Sequence, residues 1–294
     1  MTAPSASART PRVAVITVSY GSGDVLPSFL SSLGAASANP LEVFVADNKA
    51  DSDDAVADLA THRGIHYLPM TANLGYGGAV NAVVEKLPDS IEWILVSNPD
   101  LVIEPGAVDT LVETGDSEPL IGAVGPVTLT ASGEIYPSAR AVPSLRNGVG
   151  HALFANLWID NPWSRAYRND SDLLPHRRDV GWLSGSCVLV RRSAFAEVEG
   201  FDSGFFMYFE DVDLGYRLGK AGYRSVYEPS AVVTHTGAHS TGSDSGRMIA
   251  AHHESARRFL NKKYAGAWLW PVRVALTVGL KLRSAIMIRN LNRR

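Results

Sequence analysis

A single cysteine, Cys187, stands in a chain of 294 residues. That excludes an internal disulfide framework and any metal site built on several thiolates, and it fits a reducing compartment. Long apolar runs are also lacking. In the C-terminal stretch the longest charge-free segments lie between Lys263 and Arg273 and between Arg273 and Lys281, far short of the roughly 20 apolar residues that a spanning helix needs. The opening MTAPSASARTPR is small and polar, without the apolar centre of a signal peptide, so residues 1–11 are expected to be disordered. Acidic residues are absent from 255–294, which holds ten of the 27 Lys and Arg residues. All 30 acidic residues therefore face only 17 basic ones in the preceding 254 positions, and the net charge of -3 conceals an acidic body with a basic tail. Such a tail meets something anionic, phospholipid head groups or nucleic acid, or else it packs on its own body. The acidic body would repel a phosphate backbone, which argues against nucleic acid.

What is present is α/β alternation. Residues 13–20 (VAVITVSY) are apolar on both faces, as in a buried parallel strand, and strands follow at 41–46, 65–68 and 91–97 with helices near 24–37, 52–62 and 76–86 between them. Further strands are expected near 122–130, 187–190 and 224–233. The pattern predicts a mostly parallel central sheet flanked by helices. Residues 131–180, rich in Pro, Trp, Arg and Asn, read as a substrate-facing insertion with Trp158, Trp163 and, just beyond it, Trp182. Each Trp serves equally well as an anchor pinning the loop to the body.

Ligands of open α/β sheets sit beyond the carboxyl ends of the strands. Three polar clusters lie there: Thr17, Ser19 and Tyr20 after the first strand, Asp47 and Asn48 after the second, and Asn98, Pro99 and Asp100 after the fourth. A carboxylate at a strand end can accept the imide proton of a uracil or thymine ring, and another can hold a cation that bridges a diphosphate. Asp47 suits the first task and Asp100 the second, because Mg2+ keeps several waters and takes one or two protein carboxylates. Singly, each Asp is also an ordinary turn or cap residue. NLGYGGAVN at 73–81 joins a strand to a helix with glycines that let backbone N–H groups approach a ligand, but it is not a GxGxxG fingerprint. In FFMYFEDVDLGYRL, residues 205–218, Glu210, Asp211 and Asp213 crowd among aromatics. Crowded carboxylates raise one another's pKa, which suits one of them to take a proton near neutral pH; the same acids also read as the start of a helix. His235 follows the last strand and is a candidate ligand for a metal or phosphate.

In order, TVSYGSGD, VADN, NLGYGGAVN, SNPD, GWLSGSCVLVRRSAF, FFMYFEDVDLGYRLGKAGYRSVYEP and VVTH resemble glycosyltransferase family 2 in its rhamnosyltransferase-like branch. The resemblance implies a GT-A fold over residues 12–240, with 241–294 as a basic, helical, membrane-associating extension. It implies Asp47 as the base-reading carboxylate, with Thr17, Ser19 and Asn73 along the nucleotide. SNPD stands where the family carries its DxD metal motif, so Asp100 becomes the principal ligand of Mg2+ or Mn2+ and His235 a further one, while Asn98 replaces the first Asp and is left on the nucleotide side. Asp211 becomes the catalytic base, supported by Glu210 and Asp213, and Trp182 is placed to stack on the acceptor sugar. The implied reaction is an inverting transfer from a nucleotide-diphosphate sugar, dTDP-rhamnose in this branch, to N-acetylglucosaminyl-diphosphoryl-polyprenol. The enzyme would then work in the cytoplasm, peripherally on the inner face of the cell membrane, with the basic tail against anionic lipid or, alternatively, forming a homo-oligomer. A sugar nucleotidyltransferase is the main rival, but it needs a basic Gly-rich phosphate loop, and VSYGSGD has no Lys or Arg. A non-catalytic carbohydrate-binding derivative would not need to keep Asp100, Asp211 and His235 together.

Overall fold

Val13–Ser19 (β1) is buried along its whole length, as a β-branched run apolar on both faces requires. The structure, a computed structural model, describes residues 10–49, 53–144, 176–237 and 245–291. After β1 come Leu26–Ala36 (α1), Leu41–Asp47 (β2), Asp54–His62 (α2), His66–Pro69 (β3), Gly75–Val84 (α3) and Trp93–Ser97 (β4). Strands β3, β2, β1 and β4 lie side by side and parallel, as the alternation predicts. The next elements are Leu101–Ile103 (β5), Ala107–Asp116 (α4), Ile121–Thr130 (β6), Ile135–Tyr136 (β7), Ala139–Arg140 (β8), Arg178–Val180 (β9), Trp182–Leu183 (β10), Cys187–Arg191 (β11), Arg192–Glu197 (α5), Glu210–Lys220 (α6) and Arg224–His235 (β12).

The sheet runs β3-β2-β1-β4-β11-β6-β12-β5. β11 is the reversal in it, antiparallel to both β4 and β6. Because it runs backwards, its beginning, not its end, reaches the edge where β1, β2 and β4 finish. Two cores result. Ala14, Ile16 and Val18 pack with Val80 and Val83 of α3 and Leu214 and Leu218 of α6. On the other face Val13 and Val15 pack with Phe29 and Leu33 of α1 and Val108 and Leu111 of α4. Strand alternation thus assigns one helical layer to each face.

The C-terminal stretch forms Ser245–Lys263 (α7), a 3-10 turn at Ala267–Leu269 and Trp270–Leu291 (α8). These two helices differ in how they use their charges. On α7, Arg258 pairs with Asp202, and Lys262 bridges Asp202 and Asp213 at 2.8 Å each. Phe259 is fully buried among Phe205, Phe209 and Tyr216. Burying a Phe stabilises by about 1.5–3 kcal/mol, whereas partly exposed ion pairs contribute about 0–1 kcal/mol each. Phe259 therefore dominates the docking, and α7 belongs to the body. Lys281, Arg283 and Arg289 of α8 make no ion pair among the described residues.

The insertion expected over 131–180 is described at its two ends alone. Trp158 and Trp163, like residues 1–9, Arg293 and Arg294, lie outside the described residues.

Candidate active site

Register brings the strand-end residues together. Ser19 pairs with Asp47 and Thr17 with both Val45 and Ser97 across three parallel strands. Cys187 at the start of β11 lies opposite Ser97, and Asn98 donates its N–H to the Ser186 carbonyl at 2.8 Å. The turn Ser184–Ser186 therefore lies at the same edge as Asp47 and Asn98.

Asp47 is fully buried. Its Oδ2 accepts the Asp53 N–H at 2.9 Å and the Tyr67 hydroxyl at 2.6 Å, and Oδ1 accepts the Lys49 N–H at 3.2 Å. A carboxylate has about four acceptor positions, so one remains for a ligand. Burial and Asp47 together hold the Tyr67 phenol well above its ordinary value, so it stays a donor. Ser19 accepts the Ser22 N–H at 3.3 Å. Thr17 sits two residues deeper in β1, fully buried, with its hydroxyl unpartnered.

Asn48 clamps the glycine segment. Its Nδ2 donates to Asn73 Oδ1 at 2.9 Å and to the Gly75 carbonyl at 3.0 Å, while Oδ1 accepts the Leu74 N–H at 2.9 Å. The glycines begin α3 itself and are not the loop before it. Gly75 has φ +73, and a Cβ there would stand 2.3 Å from the Phe206 carbonyl oxygen. Only glycine permits this contact, through which Tyr76 N–H reaches Phe206 O at 3.1 Å and ties α3 to the segment before α6.

Asp211 stands in the first turn of α6. The two residues before Glu210, Tyr208 and Phe209, have φ of +67 and +64, a left-handed conformation that costs bulky residues roughly 1–3 kcal/mol each. That strain aims the helix start. Asp211 Oδ2 accepts the Gly185 N–H at 2.9 Å, and Oδ1 accepts its neighbour Val212 N–H at 2.8 Å. The Gly185 carbonyl in turn accepts the Tyr76 hydroxyl at 2.7 Å. Burial raises the Asp211 carboxyl above the ordinary carboxylate range, opposed by these N–H groups and by the cation of Arg140. Glu210 is buried with one oxygen unpartnered. Burial and, after it, the Asp211 charge push it up to about 8. Glu210 therefore holds its proton at neutral pH.

A stability consequence follows from Glu210. The native state holds a proton that the unfolded chain releases in the ordinary carboxyl range, so native stability falls as pH rises from that range through about 8. Glu210→Gln is expected to flatten this fall and to leave turnover at neutral pH within a few-fold of the parent. Melting temperatures measured from pH 5 to 8.5 would show it; identical slopes in the two proteins would rule the protonated Glu210 out.

Asp213 points elsewhere. It is fully buried and pairs with Arg217 at 2.6 Å and Lys262 at 2.8 Å, so it supports α6 through the α7 contact. Trp182 is half-buried beneath α6, its Cβ 2.6 Å from where a Gly215 Cβ would stand, and its indole N–H donates to the Ala141 carbonyl at 3.1 Å. It is committed to packing over much of its surface.

His235 ends β12, whose register sets it beside Leu101 of β5 and Thr130 of β6. Its Nε2 lies 3.0 Å from each carboxylate oxygen of Asp100, and Thr236 holds the Asp100 carbonyl through its N–H and hydroxyl. Both side chains keep some solvent access. No group of three or more His, Cys, Asp or Glu gathers among the described residues. One carboxylate and one imidazole with open positions fit a divalent cation that keeps waters and takes phosphate oxygens. An open cavity of about 370 Å³ flanks His235, lined by Thr130, Ser132, Tyr136 and Thr236.

A family model described as "Glycosyltransferase like family 2" matches residues 11–252. The N-acetylglucosaminyl-diphospho-decaprenol L-rhamnosyltransferase of Mycobacterium tuberculosis is 46% identical over 95% of this chain and 94% of its own. The rhamnosyltransferase WbbL of Escherichia coli is 30% identical over 85% of this chain and 93% of its own. Among solved structures, GalNAc-T7 with UDP, GalNAc and Mn2+ superposes with a TM-score of 0.63 at 14% identity, covering 85% of this chain and 48% of that one, a likeness of fold to a chain of which this one spans about half.

Proposed function

The chain belongs to the glycosyltransferase-like family 2, a family of sugar-transferring enzymes, and from that membership and the site's geometry we propose that it transfers L-rhamnose with inversion from dTDP-rhamnose to N-acetylglucosaminyl-diphosphoryl-polyprenol. The observation that carries the reading is Asp211, fixed by the Gly185 peptide at the sheet edge that β4 and β11 share. Both curated relatives above are rhamnosyltransferases, and the nearer in identity is named for a diphospho-decaprenol-linked N-acetylglucosamine.

Asp211 takes the proton of the acceptor hydroxyl as that oxygen bonds to the anomeric carbon and the bond to the donor diphosphate breaks. One displacement inverts the configuration. Asp47 accepts the thymine imide, with Ser19, Asn73 and Asn98 flanking the nucleotide and Thr17 beneath it. Asp100 and His235 would hold Mg2+ or Mn2+, which when bound offsets charge developing on the leaving diphosphate. Glu210, protonated, keeps a second negative charge away from Asp211, and Trp182 stacks on the acceptor sugar with the part of its ring that packing leaves open. A donor screen with dTDP-rhamnose and uridine-diphosphate sugars on extracted lipid acceptor tests the reading: transfer from dTDP-rhamnose is expected, and transfer from another donor alone would reassign the sugar.

The enzyme works peripherally on a membrane, on the inner face where such an acceptor is made. No helix among the described residues is long and apolar enough to cross one. α8 packs on α7 with Leu276 and Leu280 half-buried, and it exposes Trp270, Val274, Val278 and Leu282 at four-residue spacing, next to a Trp268 that is 80% exposed. Lys281 and Arg289 accompany this face, and cations near an anionic surface contribute about 1 kcal/mol each. The double change Val278→Glu and Leu282→Glu is expected to weaken sedimentation with anionic vesicles at least about tenfold without lowering the melting temperature. Unchanged vesicle binding would make the face a contact between copies of the chain. Cutting the chain near residue 254 is a poorer test, because it removes Phe259 and Lys262 from the body.

A further inference from the structure

We infer that Arg140 binds the diphosphate of the lipid-linked acceptor and so sets the acceptor sugar against Asp211; the inference rests on the acceptor proposed above. Arg140 lies in β8, paired with Trp182 of β10, and its carbonyl accepts the Gly181 N–H at 2.9 Å. Two residues earlier, Ser138 O accepts the Ser184 N–H at 2.7 Å. This two-stranded ribbon therefore leads from Arg140 straight into the Gly185 turn that holds Asp211. Its guanidinium is fixed at one corner, where Nε donates to the Pro137 carbonyl at 3.0 Å. Among the described residues the other two nitrogens have no partner and no carboxylate pairs with the group. Nearly every other arginine of the body is engaged: Arg12, Arg177, Arg217, Arg224 and Arg258 pair with acids, and Arg191 and Arg192 with carbonyls.

A half-buried cation with a free fork matches phosphate oxygens, and its charge is felt at Asp211. Two diphosphates visit such a site. The donor's belongs with Asp100 and His235, at the ends of β4 and β12. The acceptor's is attached to the very sugar whose hydroxyl Asp211 must reach, one pyranose ring away. The direction beyond Arg140 also suits a lipid: Lys263, at the end of α7, donates to the Pro143 carbonyl at 2.7 Å, and from there the chain turns into the exposed apolar face of α8.

Arg140→Gln and Arg140→Lys, each checked for an unchanged melting temperature, should be assayed on polyprenyl-diphosphoryl N-acetylglucosamine and on an uncharged alkyl N-acetylglucosaminide, with dTDP affinity measured by calorimetry. Arg140→Gln is expected to raise KM at least about tenfold for the diphosphoryl acceptor while KM for the uncharged glycoside and dTDP binding stay near the parent values, any loss of kcat through the Asp211 charge being shared by both acceptors. The KM effect is expected to be partly rescued in Arg140→Lys. Equal changes of KM for both acceptors would overturn the inference in favour of a role through Asp211. Weakened dTDP binding would overturn it in favour of the donor diphosphate. A wild-type enzyme inert on both acceptors with dTDP-rhamnose would remove the proposed reaction, and this inference with it.

Discussion

Asp211→Asn is expected to lower kcat by about 10² to 10⁴, the usual contribution of a general base, while dTDP affinity stays near the parent value. The substitution removes a proton acceptor and almost no volume. It also places an amide N–H toward the Gly185 N–H that Asp211 Oδ2 accepts at 2.9 Å, so the side chain must flip and give up one of its two backbone bonds. That costs about 0.5–1.5 kcal/mol of stability, which a melting curve will register and which is too little to unfold the protein. Asp213→Asn provides the contrast. Its carboxylate is fully buried between Arg217 and Lys262, so its loss leaves two cations facing one another and loosens α7 from α6. Stability should fall further than in Asp211→Asn, yet the folded fraction should keep its turnover. Steady-state kinetics on both variants at neutral pH separates the roles. If Asp211→Asn turned over within a few-fold of wild type, Asp211 would not be the base.

The strands that were legible in the sequence are those whose composition alone keeps them extended and buried. β1, β2, β6 and β12 are rich in β-branched and other apolar residues, and their observed bounds lie within two residues of the expected ones. β5, β8 and β10 are two or three residues long and exist because a partner distant in sequence reaches them, as His235 reaches Leu101. No local pattern records that. The Asp100–His235 contact was therefore readable only through family resemblance, although both residues could be picked singly. Arg140 and Tyr67 were missed for the same reason. Tyr67 is an ordinary strand residue until β3 lies beside β2, and Arg140 sits in a stretch whose Pro, Trp and Asn content reads as loop. The basic tail was seen as one unit because charge counting has no register. Packing divides it, since Phe259 recurs on the buried side of α7 with Ala256, whereas the apolar residues of α8 occupy both its packed and its exposed sides.

Chelation is expected to abolish transfer, and added Mn2+ or Mg2+ to restore it, with Asp100→Ala failing to recover at any metal concentration tested. In the structure Asp100 and His235 are bonded to each other, Nε2 to both carboxylate oxygens at 3.0 Å. Asp100 and His235 would hold the cation in place of that contact, and its charge would offset the negative charge of the donor diphosphate. Metal and nucleotide should consequently bind as a linked pair, each raising the affinity of the other by the same factor. Asp100→Ala removes the harder of the two ligands, the one that suits Mg2+ and Mn2+ best, so the linkage should collapse and dTDP affinity in the presence of metal should drop at least about tenfold toward its value in EDTA. His235→Ala keeps the carboxylate, and its loss should be smaller with Mg2+, which prefers oxygen, than with Mn2+. Calorimetric titration of dTDP with Mg2+, with Mn2+ and with EDTA, on the parent and both variants, reads all of these quantities. Equal dTDP affinity in the parent with and without metal would sink the bridge, and Asp100 and His235 would then be no more than the latch that fastens the end of β12 to the start of β5.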